Sequence, residues 1–160
     1  MVKPYMLRLA TMRDAGAIAR VSRDLIETGL GWSWTPARVQ RAIERRETAV
    51  LVADHAASVV GFAVMEFGDE DAHLSLLGVR PDWQRAGLGR SMVTWLEDSA
   101  RIAGTLVIRL EVRETNRAAQ RFYGRLGYRR LARLAGYYRG RENAIRMGRN
   151  LAITERRSRG

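Results

Sequence analysis

The segment Val79-Arg-Pro-Asp-Trp-Gln84-Arg-Ala-Gly87-Leu-Gly89-Arg90 carries the strongest chemical signal in the chain. A strand ending at Val79, then a turn, then a helix beginning near Gly87 places glycine N–H groups where a helix start has unpaired donors and partial positive charge. Bare amides uncrowded by Cβ atoms at such a point form a cradle for a diphosphate, and Arg85 and Arg90 add mobile cations. The pattern is neither Gly-x-Gly-x-x-Gly nor a P-loop, and without a ligand the same residues read as a strand-to-helix turn. A second signal lies downstream, where Asn116-Arg-Ala-Ala119-Gln-Arg-Phe122-Tyr123-Gly-Arg-Leu126-Gly127-Tyr128 couples a capped helix to a strand. A third is Gly29-Leu-Gly-Trp-Ser-Trp34, glycines beside tryptophans. Trp32 and Trp34, with Tyr137 and Tyr138, make either a mobile aromatic wall for an amine on an apolar stem or rings that cap the core. Other chemistries are excluded early. The chain has no cysteine, which removes thiolate metal sites, disulfides and a cysteine nucleophile together. With only His55 and His73, no metal site is expected.

The elements that must position these residues follow from hydrophobic period and punctuation. Tyr5–Leu9 reads as a strand. Thr11-Met-Arg-Asp14 has the form of a capping box with Asp for the usual Glu, opening a helix with Ile18, Val21, Leu25 and Ile26 on one stripe. Thr35-Pro36 restarts a helix whose buried face is Val39, Ala42 and Ile43. The period then shortens. Strands are expected over Ala49–Ala53, Val59–Phe67 and His73–Val79, with turns at His55–Ser58 and the acidic Gly68–Asp71. A helix is expected from Gln84 to about Ala103, a strand over Leu106–Val112, and a short helix over Asn116–Leu126. Tyr128–Leu134 and Ala144–Asn150 make a closing strand pair around a loop holding Tyr137-Tyr138. The order β-α-α-β-β-β-α-β-α-β-β predicts one α/β domain, a mixed sheet with helices on both faces, over residues 1–153. Residues 154–160 read as a disordered basic tail.

Charge is unevenly spread. Residues 1–100 carry 12 basic and 13 acidic side chains, whereas residues 101–160 carry 16 and 4, so the net +11 lies entirely in the last third. Such a segment suits RNA or a ribosomal surface, or it is a compositional habit, since 27 of the 28 basic residues are arginine. The arginines are spread rather than clustered, which favours the second reading. No apolar run approaches the roughly 20 residues that span a bilayer, so no membrane partner is expected. Met1-Val2-Lys3-Pro4 shows no export signal, so a cytoplasmic location is expected. Nothing in the sequence distinguishes a monomer from a homodimer.

Gln84-x-x-Gly87-x-Gly89 followed by Asn116-x-x-Ala119-x-x-Phe122-Tyr123-x-x-Leu126-Gly127-Tyr128 resembles the acetyl-CoA signature of the GNAT superfamily of N-acetyltransferases. Leu110-Glu111-Val112-Arg113, with Tyr137-Tyr138 and Glu142-Asn143-Ala144-Ile145, is similar to the bacterial ribosomal-protein-alanine N-acetyltransferases over roughly residues 60–150. The first 58 residues depart from that subfamily, in the region that binds the acceptor. The resemblance implies the GNAT fold, acetyl-CoA as co-substrate and direct transfer to a primary amine. The best expectation for that amine is a protein N-terminus, with a small-molecule amine second and a non-catalytic acyl-CoA-binding module as the rival. It further implies that Leu77, Gly78 and Val79 pair with the pantetheine arm. Arg85, Ala86, Gly87, Leu88, Gly89 and Arg90 would wrap the pyrophosphate, and Asn116 would contact the coenzyme or cap its helix. An attacking amine must lose a proton and a departing thiolate must gain one. Glu111 matches the base and Tyr123 the acid. Spacing alone gives Glu111 a second reading, a carboxylate paired with Arg109 or Arg113 on the polar face of its strand. Flanking arginines would also make it a weak base, acting through water. His73, on the strand leading to Val79, reads as a structural histidine, although some members of the superfamily place a base on that strand.

Overall fold

A computed structural model describes residues 4–152, so the basic tail expected over 154–160 lies outside the described residues. The chain forms β1 (Met6–Leu9), α1 (Ala15–Val21), α2 (Pro36–Glu44), β2 (Thr48–His55), β3 (Ser58–Phe67) and β4 (Asp71–Val79), followed by α3 (Leu88–Ile102), β5 (Val107–Arg113), α4 (Arg117–Arg125), β6 (Arg129–Tyr138) and β7 (Glu142–Asn150). This is the element order expected from the sequence. The seven strands make one sheet in the order β1-β2-β3-β4-β5-β7-β6. Only β4 and β5 run parallel among these neighbours.

Helices cover both faces, so the central strands are buried on both sides and read as near-continuous apolar runs. Along β2, Val50 and Val52 point to the α1/α2 side with Ile18, Val39, Phe62 and Val64. Leu51 and Ala53 point to the α3 side with Met65, Leu88, Met92, Leu96 and Ile108. Fully buried side chains such as Phe62 and Leu96 each stabilise the fold by about 1.5–3 kcal/mol through removal of apolar surface from water.

Three local expectations need correction. The helix expected from Gln84 starts at Leu88, after a 3₁₀ turn at Pro81–Trp83. Arg85 at φ 63° and Gly87 at φ 82° hold the intervening turn in left-handed conformations that no helix permits. Tyr137 and Tyr138 do not lie in a loop; β6 extends through them to a tight turn at Arg139-Gly140. The expected stripe Ile18, Val21, Leu25, Ile26 breaks because α1 continues as a wider π-helical turn at Ser22–Ile26, which rotates Leu25 outward.

Candidate active site

The site is opened by a failure of strand pairing. β4 and β5 pair only over Asp71–His73 against Val107–Arg109, and then diverge. Opposite β3, Val64 faces Leu76 and Met65 faces Leu74, so Ser75 is an extra residue that bends β4 away from its neighbour. Beyond His73, the β4 edge at Leu77, Gly78 and Val79 has β3 on one side and, among the described residues, no strand on the other. The divergence leaves a cleft of about 720 Å³, lined by these three residues with His73, Glu111, Asn116, Tyr123, Trp34, Tyr137 and Tyr138. Arg113 spans it, donating to the carbonyls of Ile26 (2.8 Å) and Thr28 (2.7 Å), and so props the segment after α1 against β5.

Glu111 projects from β5 on the side opposite Ile108, Leu110 and Val112, as strand alternation requires. Its partners are not Arg109 and Arg113, which bind Asp71 and Glu142. Instead its carboxylate receives His73 Nε2 at 2.7 Å, the Tyr137 hydroxyl at 3.1 Å and Arg146 at 3.3 Å. Burial pushes its carboxyl up, but the His73 hydrogen bond and charge, with Arg146 and Tyr137, outweigh this and hold it below the ordinary carboxylate range. The same Glu111 contact raises His73 above the ordinary imidazole value despite burial. The other imidazole nitrogen, Nδ1, lies 3.0 Å from Ser75 Oγ, which donates to Glu66.

Tyr123, on α4, is buried and lines the same cleft. Its ring meets Phe122 and Tyr128 edge-on, at centroid distances of 5.0 and 5.6 Å. Among the described residues its hydroxyl has no hydrogen-bond partner, and burial pushes the phenol far up, so it keeps its proton. Asn116 caps α4, accepting from Ala119 N–H at 3.0 Å, and also lines the cleft.

The turn Arg85–Gly87 is exposed at the start of α3, whose first N–H groups have no intrahelical acceptor. Leu88 is buried in the core and offers only its backbone outward; Gly89 is half-buried and Arg90 exposed. Of the aromatic set, Trp34, Tyr137 and Tyr138 reach the cleft, whereas Trp32 does not line it. Trp32 lies against α1, donating to the Ala19 carbonyl at 3.1 Å. Trp34 is a core residue whose place is set by Glu27. That buried carboxylate accepts from the Ser22 hydroxyl, both donors of Ser33 and the Trp34 N–H, and so folds the segment between α1 and α2.

Sequence reasoning missed Arg146, which stands directly opposite Glu111 in the β5–β7 register, and missed the Glu111–His73 contact. Opposite charge across two strands was the available signal, but it becomes visible only once the register is known.

Residues 19–128 match the model of the acetyltransferase (GNAT) family. The [ribosomal protein bS18]-alanine N-acetyltransferase of Escherichia coli strain K12 is 37% identical over 92 residues, 56% of this chain and 62% of that protein. The chain thus spans less than two thirds of the length of these curated relatives. The crystal structure of the E. coli ribosomal-protein-S18-alanine N-acetyltransferase superposes with a TM-score of 0.81 at 24% identity, over 96% of this chain and 98% of that one. The PaiA N-acetyltransferase of Thermoplasma acidophilum, in complex with coenzyme A, superposes with a TM-score of 0.79 at 16% identity, over 92% and 99%. The split between β4 and β5, the glycine turn leading into α3 and the family match agree, and the chain belongs to the acetyltransferase (GNAT) family.

Proposed function

We propose that this protein is an acetyl-CoA-dependent N-acetyltransferase that acetylates the N-terminal α-amino group of a protein or peptide. One observation carries the reading: a carboxylate with a base's position and a tyrosine hydroxyl without a partner among the described residues line one cleft, beside a strand edge left open by divergence. The edge of β4 at Leu77–Val79, which β5 leaves uncovered and where the Val79 carbonyl accepts from the Gln84 side chain, suits the amide groups of a pantetheine arm, added like a strand. The α3 N–H groups, Gly87, Arg85 and Arg90 suit the diphosphate.

In this reading the neutral amine attacks the thioester carbonyl, the C–S bond breaks, and the sulfur leaves with a proton from Tyr123. The amine's proton passes to Glu111, directly or through water. His73 orients the Glu111 carboxylate and sets its basicity. A carboxylate held this low is a weak base, which suits an α-amine of pKa about 7.7–8.0 rather than a lysine of about 10.4, because the former is already partly neutral near pH 8.

The test is Tyr123→Phe. Turnover of acetyl-CoA with N-terminal peptides should fall tenfold or more, while calorimetry still detects coenzyme A binding. Unchanged turnover removes Tyr123 from the mechanism. Turnover stimulated by amine metabolites and not by peptides removes the proposed acceptor.

A further inference from the structure

Seven carboxylate, imidazole and guanidinium side chains line the cleft, and their partners divide them sharply. Each of the three carboxylates has a hydrogen-bond partner. Glu27 is held by Ser22, Ser33 and Trp34, Glu66 by Ser75, and Glu111 by His73, Tyr137 and Arg146. His73 bridges Glu111 and Ser75. Arg113 spends its donors on two carbonyls and Glu142. Two groups remain. Among the described residues the side chains of Arg38 and Arg139 make neither a hydrogen bond nor an ion pair, and both line the cleft from exposed positions.

Each guanidinium nevertheless has a neighbour to lie against. Arg38 lies over the Trp34 ring at 4.0 Å from its centroid. Arg139 lies against Gly31, where a Cβ would come within 3.2–3.4 Å of three guanidinium atoms. Packing over the Trp34 ring holds the Arg38 guanidinium without consuming its N–H donors. The cleft therefore has an occupied carboxylate floor at buried Glu111 and two free cations at its rim.

We infer that the acceptor is a peptide with a carboxylate in its first residues after the reactive amine, so that Arg38 and Arg139 bind acid side chains at the rim while the amine reaches Glu111. This rests on the proposed acetyl transfer and narrows its substrate. Polyamines, aminoglycosides and basic peptides meet two like charges at the cleft entrance, with half-exposed Glu66 the one cleft carboxylate open to water.

The experiment compares acetyl-CoA turnover with alanine-initiated hexapeptides bearing two acidic, two neutral or two basic residues at the second and third positions, and with free glutamate. The acidic peptide should exceed the basic one by about tenfold or more in kcat/KM, the scale of one or two charge-assisted hydrogen bonds. In Arg38→Gln and Arg139→Asn the advantage should shrink through KM, with kcat for the acidic peptide retained. Asn is at ease in the left-handed conformation of residue 139 (φ 54°), so loss of folding does not intervene there. Equal turnover of the three peptides, or preference for the basic one, overturns the inference while leaving acetyl transfer standing. Free glutamate outperforming every peptide overturns the peptide acceptor. Coenzyme A binding with no turnover of any amine overturns both readings.

Discussion

Glu111 and His73 are each meaningful only through the other. The imidazole donates Nε2–H to the carboxylate at 2.7 Å; the carboxylate side chain is 7% exposed and the imidazole 40%, so water reaches the pair from the His73 side only. Their shifts have opposite signs and bracket a pH window. The lowered Glu111 contributes stability that is present above the ordinary carboxylate value of 4.5 and lost as pH falls through its depressed folded value. The raised His73 contributes stability that is present below the ordinary imidazole value of 6.5 and lost as pH rises through its elevated folded value. The pair is therefore worth most between these two ordinary values. Removing the imidazole in His73→Ala should lower the melting temperature most within that window, with the difference from wild type narrowing on both sides. A melting difference independent of pH between about 3 and about 9, a range that runs past both groups' ordinary values, rules out an ionic pair.

At the scale of elements, the site exists because β4 bends, and β4 is packed from behind. A Cβ at Gly78 would stand 2.8 Å from Phe62 Cε1 and 3.2 Å from Ile26 Cδ1, and Phe62 is fully buried with nowhere to move. Gly78→Ala should cost about 1–3 kcal/mol by overpacking and lower the melting temperature by several degrees. An unchanged melting temperature would mean that β4 shifts freely, and that its edge is not a fixed template. Much of this layer was legible in the sequence. Val50–Ala53 and Val59–Met65 are apolar on both faces and announce central strands, and the change of period after Gly104 announces β5. Other parts were illegible for definite reasons. Arg85 occupies a left-handed conformation that its residue type does not advertise, which hid the true start of α3. Gly136, at φ 62° within a register shift between Leu134 and Tyr138, interrupted the alternation that would have marked the rest of β6. The partners of Glu111 come from β4, β6 and β7, and their convergence depends on register and on the Ser75 bulge, neither of which periodicity encodes.

Across the whole molecule, the charge imbalance sets a cost that no single contact reveals. Arg117, Arg121 and Arg125 follow one another at four-residue spacing on exposed positions of α4, where like charges repel, and Arg129 follows at the start of β6. None of these four has an ion-pair partner among the described residues, whereas the carboxylates of this region are engaged: Glu111 by Arg146, Glu114 by Arg133 and Glu142 by Arg113. With a net charge of +11 the folded state concentrates repulsion that the expanded unfolded chain relieves. Salt acts on both terms. It weakens exposed pairs such as Arg109–Asp71 and Arg101–Asp98, each worth about 0–1 kcal/mol, and it screens the unpaired arginines from one another. The Debye length falls to about 10 Å at 0.1 M, shorter than the span over which these arginines act collectively. Repulsion therefore loses more than attraction, because the uncompensated charges outnumber the exposed pairs in the last third. The melting temperature should rise by a few degrees between about 20 mM and about 200 mM sodium chloride, without added polyanion. A fall over that range would mean that the exposed ion pairs, rather than the unpaired arginines, dominate the electrostatics of the fold.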